Sequence, residues 1–385
     1  MIHNDCFRRH ERLQSLMRAG GIDAMLVASN VGLLYLFGQI YSGLAYVPAE
    51  GEAQFFVRRP QTYGEHPQVH YVRKIEQIAD YVDLSHIKMV ALELDELSYA
   101  EVERQRKLLP SATLANATQL LRTARMVKTE EEIKQIRHTA EAHMQVYRQI
   151  PQLYRSGMTD VELQIEIERV MRLSGSVGIF RTFGSAMEIY MGSLIAGDNA
   201  AVPSPYDFAM GGAGSMALPL GSSGVVIEEG TAVMVDMAGN YGVYMSDMTR
   251  TFSVGELTDE AYRLHELSRR LHREVMQAAD PNTSCADIYN HTLELVEREG
   301  ASEYFMGLDQ KAQFVGHGLG LQINEMPVLM GRSRDVLQTG MIIAYEPKFV
   351  LPRIGAVGVE NTYLVTETGV ENLTPLDEAI INLKQ

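Results

Sequence analysis

Tryptophan is absent from this chain and cysteine nearly so, with Trp 0 and Cys 2 among 385 residues. Cys6 and Cys285 lie far apart, form no CxxC pair and supply no disulfide framework of the secreted type. A reducing cytoplasm is the compartment this predicts. The missing tryptophan, like the 21 methionines, reads as compositional drift, with a soft Met-lined pocket as the alternative. Basic residues are scarce, 34 Lys and Arg against 49 Asp and Glu, for a net charge of −15. That excludes a general affinity for nucleic acid, which needs basic patches. It favours cation binding or, more simply, a dispersed acidic surface. No uninterrupted apolar run reaches the ~18 residues of a membrane span. The opening MIHNDCFRRHERLQ lacks a signal-type apolar core. No Gly-rich phosphate loop appears in the first third, so nucleotide binding there is unsupported.

What is present is a globular composition, 46% hydrophobic and 22% charged, long enough for two domains. His10 to Gly20 predicts an amphipathic helix stopped by Gly20-Gly21. Ile22–Ala28, Ala53–Arg58 and Lys88–Leu94 are short apolar runs, read as buried strands, and Ser98–Leu109 as a helix. This alternation predicts an α/β domain with a mixed sheet over residues 1–124. The pattern changes at Leu121–Lys128, and a second domain spans 125–385. Thr129 with Glu132 forms a capping-box start for a helix to about Ile150. Thr159 with Glu162 starts another, to about Leu173. Residues 174–224, rich in Gly and Ser, read as a long irregular stretch of the kind that forms binding loops. Helices follow near 259–279 and 286–299, then strands and turns. The segments 128–255 and 257–375 are each helix-then-strand and compatible with a distant duplication.

The chemistry concentrates in this second domain. Asp236 interrupts the apolar run TAVMVDMA, where a carboxylate is costly unless paired or ligating a cation. Gly239-Asn240-Tyr241-Gly242 supplies a turn, and Asp247 lies on the returning VYMSDMTRTF. A hairpin there puts both carboxylates at neighbouring positions; one turn Asp and one surface Asp is the simpler alternative. His317 sits between Gly316 and Gly318, glycines that allow close backbone approach. A lone histidine in such a turn is more often structural. Glu346 ends the run MIIAYE before Pro347, and Glu360 interrupts VGVENTYL, compatible with adjacent antiparallel strands. Four carboxylates inserted in apolar runs repel one another unless a cation neutralises them. A hard, oxygen-rich set with one imidazole suits divalent first-row ions. The alternative is a network of protonated or Arg-paired acids, with Arg250 and Arg353 as partners.

The order Asp236, Asp247, His317, Glu346, Glu360, with the segments VDMAGNYGVYMSDMTRTF, GHGLGLQINEMP and YEPKFVLPRIGAVGVENTYLVTETGVENLT, resembles the M24 metallopeptidases. RMVKTEEEIKQIRHTAEA resembles the first helix of their catalytic domain, and the N-terminal part, with LYLFG at 34–38, the creatinase-type N-terminal domain. The resemblance implies an α+β chain: a C-terminal pita-bread, creatinase/aminopeptidase-like domain preceded by an N-terminal α/β creatinase-type domain. It implies two divalent ions, Mn2+ first, with Fe2+, Co2+ or Zn2+ as alternatives, and a bridging hydroxide as nucleophile. Asp236 would be terminal on one metal, His317 and Glu346 would bind the other, and Asp247 and Glu360 would bridge. Glu346 would also accept a proton. A homodimer and a small peptide substrate of Xaa-Pro aminopeptidase or dipeptidase type are implied too.

Two histidines of such peptidases are replaced. Ser204 in NAAVPSPYD and Asn324 in HGLGLQINEMP stand in their places. Neither shuttles protons near neutral pH, though both can orient a substrate or stabilise an oxyanion. Tyr206 is the nearest candidate proton donor. The usual E-P-G becomes Glu346-Pro347-Lys348, and R-I-E-D becomes Gly358-Val359-Glu360-Asn361. Lys348 then either binds a substrate carboxylate or is an exposed loop lysine. The alternatives to a peptidase are a non-peptidase M24 hydrolase or lyase acting on a small zwitterionic metabolite, and a silent metal-binding or scaffold homologue.

Overall fold

Short apolar runs between helical segments build a sheet from the start of the chain. The computed structural model describes residues 4–184, 187–206 and 210–384. The chain divides into two compact units, Met1–Arg125 and Met126–Gln385.

In the first unit α1 (Asn4–Ala19) ends at Gly20, and Gly21 turns the chain at φ 65°. The fully buried β1 (Ala24–Val27) follows. α2 (Asn30–Phe37) is capped by Ser29 and closed by left-handed Gly38. Its residues 32–37 are all buried, so it carries no amphipathic period to read from sequence. β2 (Ser42–Pro48), β3 (Gln54–Arg59), β4 (Val69–Tyr71), β5 (Met89–Leu92), α3 (Tyr99–Arg106) and β6 (Thr113–Asn116) complete the unit. The sheet order is β4-β3-β2-β1-β5-β6. β2 pairs antiparallel with β1 and β3, and the remaining pairs are parallel. This is a mixed sheet.

α4 (Thr118–Met126) leads into the second unit. α5 (Glu130–Tyr147) begins at the reciprocal box. The Glu132 N–H donates to Thr129 Oγ1 at 3.3 Å and the Thr129 N–H to Glu132 Oε2 at 2.8 Å. α6 (Asp160–Leu173) begins the same way, with Thr159 and Glu162 at 3.2 and 2.8 Å. The segment expected to be irregular holds a strand, β7 (Gly192–Ala196). The hairpin of β8 (Thr231–Gly239) and β9 (Ser246–Val254) comes next. α7 (Asp259–Leu271) runs on into a widened turn at His272–Met276, and α8 (Cys285–Arg298) packs beside it.

The rest is strand: β10 (Gly316–Gly318), β11 (Glu325–Val328), β12 (Ile342–Tyr345), β13 (Lys348–Leu351), β14 (Gly355–Gly358), β15 (Asn361–Thr366), β16 (Gly369–Asn372) and β17 (Ile381–Asn382). Two larger sheets result, β17-β9-β8-β7 and β11-β10-β12-β15-β16. Leu163 and Ile167 of α6 and Tyr147 of α5 pack on the first through Leu194, Val235 and Met248. Leu264 and Leu271 of α7 and Ile288 of α8 pack on the second through Ile343, Tyr345 and Tyr363. Each such side chain contributes about 1.5–3 kcal/mol by burial. The two halves meet where Thr249 of β9 bridges to Glu360. Among the described residues, no helix is long and apolar enough to cross a membrane. Cys6 and Cys285 are both buried, and neither is in a disulfide.

Candidate metal centre

β8 and β9 pair antiparallel with Asp236 opposite Thr249 and Ala238 opposite Asp247. Asp247 is two residues from Thr249, so the strand period of two places both carboxylates on one face. Asp247 is pinned through its backbone: its N–H donates to Thr362 Oγ1 at 3.0 Å, and that hydroxyl donates to the Asp247 carbonyl at 2.8 Å.

Glu346 and Glu360 lie at an interruption in a longer hairpin. β12 pairs with β15 up to Tyr345 opposite Asn361, and β13 pairs with β14 from Lys348 opposite Gly358. Between these pairs stands Pro347, which has no N–H for the ladder. Ser268 of α7 fills the gap: its hydroxyl donates to the Pro347 carbonyl at 2.6 Å and accepts the Val359 N–H at 3.0 Å. The ladder therefore opens at the two glutamates without orphaning backbone groups. Glu360 Oε2 accepts the Thr249 hydroxyl at 2.6 Å.

His317 lies in β10, paired with β12 and β11. A Cβ at Gly316 would stand 2.2 Å from Ala344 O, and one at Gly318 2.0 Å from Met326 O. Only glycine lets the neighbouring strands close on this histidine. His317 Nδ1 donates to the Gly318 carbonyl at 3.1 Å, since a carbonyl can only accept. Nε2 is turned to the acids, 3.5 Å from Glu346 Oε1 and 3.8 Å from Asp247 Oδ2. A backbone acceptor on one ring nitrogen is how a ligating histidine is held in tautomer and orientation.

The five residues thus converge. Asp247, His317 and Glu360 offer ligand atoms within 4.8 Å of one another, and so do Asp236, Glu346 and Glu360. Glu360 belongs to both sets. Burial pushes Asp247 well above the usual carboxylate range, and Glu360, Asp236 and Glu346 add repulsion. Burial also raises Glu346, and lifts Glu360 to about 8 against the pull of Lys348.

Lys348 is not an exposed loop lysine. It is fully buried, and its Nζ donates to Asp236 Oδ2 at 2.7 Å, Glu346 Oε2 at 2.8 Å and Glu360 Oε2 at 3.2 Å. Burial works against its charge, yet those three carboxylates outweigh it and hold the ammonium well above lysine's ordinary value. The acid network is not arginine-paired either. The Arg250 guanidinium donates to backbone carbonyls of Thr249, Glu360, Thr374, Leu376 and Asp377 and to Asn361, and Arg353 is exposed. One ammonium against four carboxylates leaves negative charge over, and the raised acids express it. The Asp247, His317 and Glu360 set, with an imidazole lone pair and hard oxygens, fits a divalent ion. In the other set, Nζ fills the space that the expected second ion would need.

Residues 134–367 match the model of metallopeptidase family M24, and residues 9–127 that of the creatinase/prolidase N-terminal domain. The first match covers more than half of the chain and all five residues of the centre.

This chain belongs to metallopeptidase family M24.

It is 25% identical over 380 residues to the Xaa-Pro dipeptidase of Pyrococcus furiosus, covering 97% of this chain and 99% of that one. It is 26% identical over 382 residues to the uncharacterized peptidase YqhT of Bacillus subtilis, at 97% and 99% coverage. A solved Xaa-Pro dipeptidase from Bacillus anthracis superposes with a TM-score of 0.81 at 25% identity, covering 98% of this chain and 99% of that one. The Pyrococcus horikoshii prolidase structure shares the fold, with a TM-score of 0.78 at 24% identity over 97% of this chain and 100% of that one. The architecture is that of the M24 domain preceded by its creatinase-type domain, and the chain is an enzyme of the peptidase class.

The residues that depart from the M24 pattern are engaged in the fold. Asn324 accepts the Phe183 N–H at 2.6 Å and donates to the Phe183 carbonyl at 3.1 Å, clasping both edges of that segment. The Ser204 hydroxyl donates to the Pro219 carbonyl at 2.9 Å and accepts the Tyr206 N–H at 3.2 Å. Ser204 and the half-buried Tyr206 line a cavity with Ala201, Met210, Leu308 and Gln310. Sequence reasoning did not foresee Thr249, Thr362 and Ser268, whose hydroxyls hold the Glu360 carboxylate, the Asp247 backbone and the backbone next to Glu346 and Glu360. Ordinary polar residues in strands and helices carry no signal of their own. For Lys348 a signal existed: a lysine opening the apolar run FVL directly after Glu-Pro.

Proposed function

We propose that this M24 enzyme is a metal-dependent hydrolase that cleaves an amide bond in a small peptide, as an Xaa-Pro dipeptidase or aminopeptidase. The observation that carries the reading is the convergence of Asp236, Asp247, His317, Glu346 and Glu360 in one buried cluster. Names of the Pyrococcus furiosus and Bacillus anthracis relatives support the substrate class. The five residues are the metal set, with Mn2+ the preferred ion, in a cytoplasmic homodimer. A divalent ion there supplies Lewis acidity toward the scissile carbonyl and activates water at neutral pH. Glu346, raised by burial, is the proton acceptor. Ser204 and Tyr206 border the substrate, Tyr206 as proton donor, and Asn324 positions the Phe183 segment.

A histidine's absence costs about 10²–10⁴ in rate, so turnover of simple Xaa-Pro substrates should be slow. That absence at both positions is also what favours the second reading, an M24 hydrolase or lyase acting on a small zwitterionic metabolite. A panel of Xaa-Pro dipeptides and tripeptides with added Mn2+ separates the two. Proline-dependent turnover, lost together with metal binding in Asp247→Ala, is the expected outcome. No cleavage at any metal loading would leave the second reading standing.

A further inference from the structure

We infer that the Lys348 ammonium is the second cation of this centre, so that the chain holds one divalent ion per site rather than two. The inference rests on this five-residue cluster being the metal centre proposed above. An ammonium has three N–H donors and no acceptor. Lys348 gives one to each of three carboxylates, at 2.7, 2.8 and 3.2 Å, with its side chain wholly shielded from solvent. An ion held by the same oxygens at about 2.0–2.2 Å would overlap Nζ.

The lysine is also built into its place. Its carbonyl accepts the Met306 N–H at 2.9 Å, and its N–H points at Met306 Sδ at 3.5 Å. Across the hairpin stands Gly358, where a Cβ would press on Lys348 Cα at 3.0 Å and Cγ at 3.3 Å. The glycine is the room that the lysine stem occupies. Asp247, His317 and Glu360 are left for a single ion, with Glu360 shared between the ion and the ammonium. The fixed charge would keep Asp236, Glu346 and Glu360 together whether or not metal is bound.

Metal counting tests this. Purified protein loaded with excess Mn2+ and desalted is expected to retain one ion per chain by elemental analysis, with the electron paramagnetic resonance of an isolated ion. Lys348→Gly, with folding checked by circular dichroism, is expected to retain two, as an exchange-coupled pair. Two coupled ions in the unmodified protein would overturn the inference and leave the metallopeptidase reading intact. A folded Lys348→Gly protein that still holds one ion would also overturn it. No ion in either protein would overturn both readings. If Lys348→Gly does not fold, the spectrum of the unmodified protein decides alone.

Discussion

Gly318 leaves no space beside His317: an added methyl would meet the Met326 carbonyl at 2.0 Å, and a backbone neighbour cannot swing away as a side-chain tip can. Gly318→Ala should therefore cost about 3 kcal/mol. Urea denaturation would measure it, and a loss under ~1 kcal/mol would show that β10 has slack. The four acids and the histidine were legible in sequence because each carboxylate breaks or ends an apolar run and the histidine sits between glycines. The direction of the Lys348 side chain was not. It depends on Gly358 across the hairpin and on Ser268 bridging the opened ladder, and neither adjoins Lys348 in sequence. Ser204 and Asn324 were legible as replacements, but their clasps on Pro219 and Phe183 are long-range contacts that no motif encodes.

The β12–β15 and β13–β14 ladders stay joined across their gap through one hydroxyl. Removing it in Ser268→Ala leaves the Val359 N–H and one lone pair of the Pro347 carbonyl without this partner in a buried place. The expected loss is about 1–3 kcal/mol, with activity falling further than stability because Glu346 and Glu360 flank the gap. Parallel thermal melts and initial rates would read both; unchanged rates in a destabilised variant would mean that Ser268 braces the fold alone. The helices that were easiest to foresee, α5 and α6, open on capping boxes whose two bonds lie within four residues. β7 was hidden in a glycine-rich stretch because five buried residues, GSLIA, show no alternation. α2 was hidden for a related reason, being apolar along its length.

At the scale of the whole molecule, among the described residues, burial pulls four histidines far below their ordinary value. His143 and His272 are lowered to about 3, and His10 and His265 to about 4, from 6.5. A folded pKa below the unfolded one means that the unfolded chain takes up protons first as pH falls. Their contribution is fully present above about 6.5 and is lost as pH falls from there toward 4 and 3. Glu360, raised from 4.5 to about 8, acts the other way in metal-free protein, losing stability as pH rises through about 8. With saturating Mn2+ the histidine window should dominate. The urea midpoint at pH 5.5 should then fall below that at pH 7.5, and His272→Gln should flatten the difference. A flat profile in the unmodified protein would contradict this.

The centre itself is tested most directly by stripping the protein of metal and restoring Mn2+ while following hydrolysis of a cleaved Xaa-Pro substrate. Turnover should vanish on stripping and return in proportion to bound ion, saturating at one per chain. Turnover that survives complete stripping, or that Asp247→Ala retains, would contradict a metal centre built from these residues.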